Sequence, residues 1–184
     1  VKKSIALFPD TTQNNIMNRY LIHSPLEHYA VTTPSAAALS FNGEELSYRK
    51  LNEQSNQLAH ALLSSGCNSE DRIGIFLHKG LDLGIAIYAI LKAGCAFVPL
   101  DPYMPVERLH FILEDCGIKR IISADALQPV INKLPINCCL QQVFGVEQNL
   151  IFEQQHMHDV AKFPMDNPAL PTIDQHLGYI MYTS

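Results

Sequence analysis

The amino-acid sequence predicts an α/β fold, a mainly parallel sheet flanked by helices. Three observations carry that prediction. Short runs with apolar centres at 71–77 (DRIGIFL), 95–101 (CAFVPLD) and 119–124 (KRIISA) read as buried strands. Longer segments with helical spacing, Leu81 to Gly94 and Pro105 to Gly117, lie between them. The order strand, helix, strand, helix, strand is that of right-handed crossovers joining parallel strands.

The elements follow in order along the chain. Residues 1–18, with PDTTQNN at their centre, are polar and aperiodic and read as a linker; residues 19–184 read as the folded part. Ser24, Pro25 and Glu27 have the spacing of a capping box that starts a short helix, which Pro34 stops. Asn42-Gly43 lies between two short extended runs and predicts a hairpin, because both residues must take positive φ. From Tyr48 to Ser65, Leu51, Ser55, Leu58 and Leu62 recur near helical spacing, and Gly66 closes the helix. The helix from Leu81 is apolar on most faces, hence internal, and is closed by Lys92 and Gly94. Pro105 starts the next helix and Gly117 ends it. Between about Asp125 and Pro171 the pattern weakens, with one apolar patch, CCLQQVFGV, that suits a further strand. HLGYIMYTS then reads as a final buried strand, with Tyr179, Met181 and Thr183 facing one way and Ile180 and Tyr182 the other.

Composition excludes several function classes. The net charge of −5, with no basic run beyond Lys2-Lys3, leaves no electrostatic footprint for a nucleic acid. Lys79, Asp82 and Lys92 bracket the longest apolar stretch, so no membrane span is expected. The chain begins at Val1 without a signal-peptide core and reads as a piece of a cytoplasmic protein. Five cysteines without CxxC spacing (Cys67, Cys95, Cys116, Cys138, Cys139) suit buried reduced thiols, although the adjacent pair Cys138-Cys139 has a redox reading too. Gly74, Gly80 and Gly84 do not form a GxGxxG turn, and neither a GxxxxGK phosphate loop nor a GxSxG elbow is present. His156, His158 and Asp159 (HMHD) offer metal donors without a second cluster; a solvated loop explains them, and no metal ligand is assigned.

Three stretches together go further. LSYRKLNEQSNQLAHAL (46–62) resembles the first core motif of adenylate-forming enzymes. LKAGCAFVPLDP (91–102) resembles the second nearly letter for letter, and LGYIMYTS (177–184) the start of the third. PVERLHFILEDCG (105–117) is similar to the segment that follows the second motif in amino-acid-activating members. In order and spacing, the chain from about Ser24 to Ser184 looks most like the N-terminal part of the adenylation domain of a nonribosomal peptide synthetase.

That resemblance implies a reaction. ATP and Mg²⁺ activate an amino acid as its AMP ester, which passes to phosphopantetheine on a carrier-protein domain. It implies that Thr183 and Ser184 are the first hydroxyls of a glycine-rich loop gripping the ATP phosphates, and that the chain ends at this loop's threshold. No catalytic residue is expected within the chain, which is taken as inactive by itself. An MbtH-like accessory protein is a partner by resemblance only. Acyl-CoA synthetases and fatty-acyl-AMP ligases share the superfamily, and a non-catalytic folding or interaction module is a third reading. Two positions depart from the family pattern: Lys50 replaces a glutamate and Gly178 an alanine. Lys92, Gly94 and Asp101 belong to the second motif, yet helix capping and strand termination explain them without a ligand. Arg108 reads as a surface or salt-bridge residue, and Tyr182 as a sheet-packing aromatic.

Overall fold

A computed structural model of the chain describes residues 21–145, 150–153, 156–171 and 175–182. The expected linker at 1–18 lies outside these residues, as do Thr183 and Ser184.

Helix α1 (Ser24–Thr32) starts one residue earlier than the capping box predicts, with His23 at the cap position and no side-chain cap bond. Glu27 Oε1 comes within 3.8 Å of His23 Nε2 at the cap position but lies closer, at 3.2 Å, to Lys92 Nζ. An otherwise buried ammonium competes better for a carboxylate than a backbone N–H does. Strands β1 (Ala37–Phe41) and β2 (Glu44–Ser47) form the antiparallel hairpin. Asn42 and Gly43 take φ +51° and +85°, as their turn requires.

Helix α2 (Tyr48–Ser64) is capped by Ser47, whose Oγ accepts from the Lys50 N–H at 3.3 Å. The expected cap therefore forms, while the reciprocal half of a capping box is missing because Lys50 has no acceptor. Lys50→Glu is expected to raise stability by about 0.5 kcal/mol through the added cap bond and the helix dipole. An unchanged or lower urea midpoint would refute that account.

The remaining elements build a three-layer unit. They are β3 (Arg72–Phe76), α3 (Leu81–Lys92), β4 (Ala96–Pro99), α4 (Val106–Cys116), β5 (Arg120–Ser123), a short α5 (Gln128–Ile131) and β6 (Gln142–Gly145). After them come β7 (Leu150–Glu153) and β8 (His156–Asp159). The sheet order is β4-β3-β5-β6-β7-β8. The first four strands are parallel, with Ile73 beside Phe97 and Gly74 beside Ile121, and β7 and β8 return antiparallel. HMHD is thus strand β8 and not a loop.

Alternation along the strands splits the core. Ile73, Ile75, Ile122 and Phe144 pack with Leu58, Leu62, Ala86 and Ile90 of α2 and α3. Phe76, Val98 and Ile121 pack with Leu109, Ile112 and Leu113 of α4. Helices on both faces explain why the strand sequences are apolar throughout rather than alternating. All five cysteines are free thiols: Cys67, Cys95 and Cys116 are buried, and Cys138 and Cys139 are half-buried. The neighbouring Cys95 thiol lowers the pKa of the Cys67 thiol from its ordinary value.

Candidate functional site

The first and second sequence motifs meet at Lys92. This side chain, 0% exposed, sits in the last turn of α3 with its ammonium turned toward α1 and α2. Four oxygens surround Nζ: Asn52 Oδ1 at 2.7 Å, Asn56 Oδ1 at 2.8 Å, Asn167 Oδ1 at 3.1 Å and Glu27 Oε1 at 3.2 Å. An ammonium has three protons, so these acceptors saturate it. Burial still wins over the attraction of Glu27, and the Lys92 pKa is pushed below its ordinary value.

The same face of α2 grips the segment at 161–167. Asn56 Nδ2 donates to Met165 O at 2.6 Å and to Asn167 Oδ1 at 2.9 Å. Gln57 Nε2 donates to Ala161 O at 3.0 Å and Phe163 O at 3.2 Å. Lys92 is therefore the hub of a polar tether, a structural role as the sequence suggests, though not the helix cap expected there. Asn56 and Asn167 are not singled out by the sequence. A polar residue inside an otherwise apolar helical stripe is the available signal, and Asn56 supplies it.

The second and third motifs meet along β4. The Phe97 N–H donates to Gly178 O at 3.0 Å, and the Ile180 N–H donates to Phe97 O at 3.0 Å. Tyr179 bridges Phe97 in parallel sense, with the two rings stacked at 5.6 Å. This corrects the expected final strand in two respects. Among the described residues it is a single bridge at the free edge of β4, and its outward side chains Tyr179 and Met181 are exposed by 52% and 67%. Apolar alternation marks a strand, but nothing in the alternation says whether a further layer covers it.

The other face of this segment is anchored. Ile180 and Tyr182 pack against the α4 cluster. The Tyr182 hydroxyl donates to Asp115 Oδ2 and lies 3.1 Å from Cys116 Sγ, and the bond to Asp115 raises the phenol's pKa well above its ordinary value. Upstream, the Leu177 N–H donates to Glu70 Oε1 at 3.0 Å, and Ser69 Oγ lies 3.3 Å from His176 Nδ1. Gly178 leaves room for the family's alanine, whose Cβ would meet Ile22 Cδ1 at an ordinary 3.5 Å. The bridge is parallel, so the described segment Gly178–Tyr182 runs in the direction of β3, β4 and β5, whose carboxyl edge is where ligands of open α/β sheets bind.

The two hydroxyl residues assigned to the phosphates, Thr183 and Ser184, follow next in sequence, outside the described residues. Asp101 is exposed, and its Oδ1 accepts the Tyr103 N–H at 3.0 Å, which fixes the turn after β4. Arg108 is exposed on α4. No helix among the described residues is long and apolar enough to cross a membrane.

Comparison with known proteins agrees with this arrangement. The chain belongs to the AMP-binding enzyme family, whose pattern matches residues 26–184. Tyrocidine synthase 3 of Brevibacillus parabrevis is 35% identical over 167 residues, which is 89% of this chain and 2% of that protein. Gramicidin S synthase 2 of Brevibacillus brevis is 32% identical over 184 residues, all of this chain and 4% of that protein. The chain thus spans a few hundredths of the length of such relatives. Among solved structures, the nonribosomal peptide synthetase FmoA3 with α-methyl-L-serine-AMP bound superposes with a TM-score of 0.75 at 23% identity, over 89% of this chain and 17% of that one. A Mycobacterium tuberculosis fatty acyl CoA synthetase gives 0.74 at 22% identity, over 86% and 32%. At these identities the two structures establish a shared fold.

Proposed function

We propose that this chain is part of an adenylation domain in a cytoplasmic nonribosomal peptide synthetase. The domain activates an amino acid with ATP as an aminoacyl-AMP and then loads it as a thioester on the phosphopantetheine of a carrier domain. The observation that carries this reading is the assembly of the three motifs into one unit: Asn56 on Lys92, and Phe97 on Gly178 and Ile180. In the reaction, the substrate carboxylate attacks the α-phosphorus and pyrophosphate leaves. The role of the described residues is positional. Phe97, Asp115 and Cys116 set the path of Gly178–Tyr182; Thr183 and Ser184, next in sequence, would supply the first hydroxyls to hold the leaving phosphates.

Mg²⁺ would neutralise the departing charge. Among the described residues the cluster with metal-ligand geometry contains an imidazole and a thiol, the wrong donors for Mg²⁺, and so does not fit this ion. An accessory protein of the MbtH type is a partner to test by co-purification.

The experiment is ATP–pyrophosphate exchange by the whole protein that contains this chain, against a panel of amino, aryl and fatty acids. Exchange with one or a few amino acids is expected. Exchange with fatty acids alone would reassign the domain to the acyl-CoA or fatty-acyl-AMP branch, and none with any acid would leave a non-catalytic module. The 184-residue chain by itself is expected to show no exchange.

A further inference from the structure

The geometry points to a second site, unrelated to nucleotide chemistry: His110, Glu114 and Cys138 form a binding site for a divalent transition metal of the Zn²⁺ class. His110 and Glu114 stand one turn apart on α4, with Nε2 and Oε1 3.6 Å from each other. Cys138 comes from the loop after α5, and one donor atom from each residue lies within 4.8 Å of the other two. Metal bonds of roughly 2.0–2.3 Å in a tetrahedron put donor atoms about 3.5 Å apart. The remaining gap is about 1 Å. Side-chain rotation closes it, since Glu114 is exposed and His110 and Cys138 are half-buried.

The loop is already held in place for this. The Cys139 N–H donates to Glu114 Oε1 at 2.7 Å, and Cys139 Sγ donates to Leu113 O at 3.2 Å or Ile118 O at 3.3 Å. Cys139 is thereby spent on the end of α4, while Cys138 is left beside His110 and Glu114. Cys138 also lines a groove of about 490 Å³, and Glu114 is exposed to solvent. A thiolate and an imidazole beside a carboxylate suit Zn²⁺, whereas Mg²⁺ and Ca²⁺ take oxygen donors alone. Three protein ligands leave a fourth position for water. The bound metal would staple the loop to α4.

The sequence does not show this set. The spacing on α4 supplies only two ligands, and the third arrives from a loop that the chain topology folds back.

The test is titration of the chelator-treated full chain with Co²⁺ as a spectroscopic stand-in for Zn²⁺. Saturation at one equivalent is expected, with thiolate-to-cobalt charge-transfer absorption that Zn²⁺ abolishes. Cys138→Ser should remove that absorption, and His110→Ala should weaken binding about 100-fold or more, beyond what loss of an outer partner costs. Cys139→Ser should keep the absorption. These side chains lie outside the buried core, and far-UV circular dichroism confirms that each variant is folded. Absence of saturable uptake, or an undiminished sulfur band in Cys138→Ser, overturns the assignment.

Discussion

Replacing Lys92 with methionine is expected to destabilise the protein by about 3 kcal/mol, the range for breaking a buried charge pair by removing one partner. Methionine fills a similar volume, so packing is not the main loss. What is lost is the donor shared by Asn52, Asn56, Asn167 and Glu27, whose oxygens all lie within 3.2 Å of Nζ. Those oxygens stay inside, and unmade hydrogen bonds of buried groups cost more than made ones gain. The segment at 161–167 should loosen first, because Asn56 and Asn167 tie it to α2. A urea midpoint equal to that of the parent would show that the network contributes nothing.

The same residue has a pH signature. Burial holds the folded pKa of Lys92 below the ordinary 10.5. Between the lowered value and 10.5 the unfolded chain carries the extra proton, so the Lys92 contribution to stability rises with pH across that window. Below the window both states are charged, and the contribution is constant. Lys92→Met lacks this term. The stability difference between parent and variant should therefore widen as pH approaches 10.5 from neutrality. A difference that narrows would mean that attraction to Glu27, not burial, dominates.

Gly74→Val is expected to cost a comparable amount, about 3 kcal/mol, by overpacking. Gly74 sits in β3 between β4 and β5. A Cβ there would lie 2.7 Å from Leu100 Cδ1 and 2.8 Å from Ile121 Cγ2, closer than carbon atoms approach, with Ile118 Cγ2 behind at 3.4 Å. Leu100, Ile118 and Ile121 are buried at 3%, 0% and 0%, so they have little room to retreat. Valine's preference for strands is worth at most about 1 kcal/mol and does not offset this. Gly74→Ala should fall between parent and valine in urea unfolding. Equal midpoints for all three proteins would mean that the α4 face has slack.

Much of the fold is legible along the chain, because each signal is local. The apolar runs of β3, β4 and β5, the Asn42-Gly43 turn and the Ser47 cap depend on residues within a few positions of one another. Gly66, Gly94 and Gly117 follow α2, α3 and α4 with φ of +81°, +71° and +61°, which also needs no tertiary information. The failures share one cause. Ser24 reads as a cap because Glu27 follows at the right spacing, yet Glu27 serves Lys92, distant in sequence. HMHD lacks an apolar face and reads as a loop, yet the hydrogen bonds of β7 make it a strand. Gly74 is rightly set aside as a phosphate-loop glycine, but only packing shows that its missing side chain makes space for Leu100 and Ile121.

Periodicity, turn chemistry and short motifs are written over a few residues. From them alone follow the α/β class, the order of elements from β3 to β5, and the family to which the motifs belong. Packing was needed to bring the Lys92 ammonium to three asparagines and a carboxylate, and to hold Tyr182 on Asp115 and Cys116. Packing also brings Cys138 beside His110 and Glu114. Each of these joins residues far apart in sequence, and their chemistry depends on distance and burial, which exist only after the layers have come together.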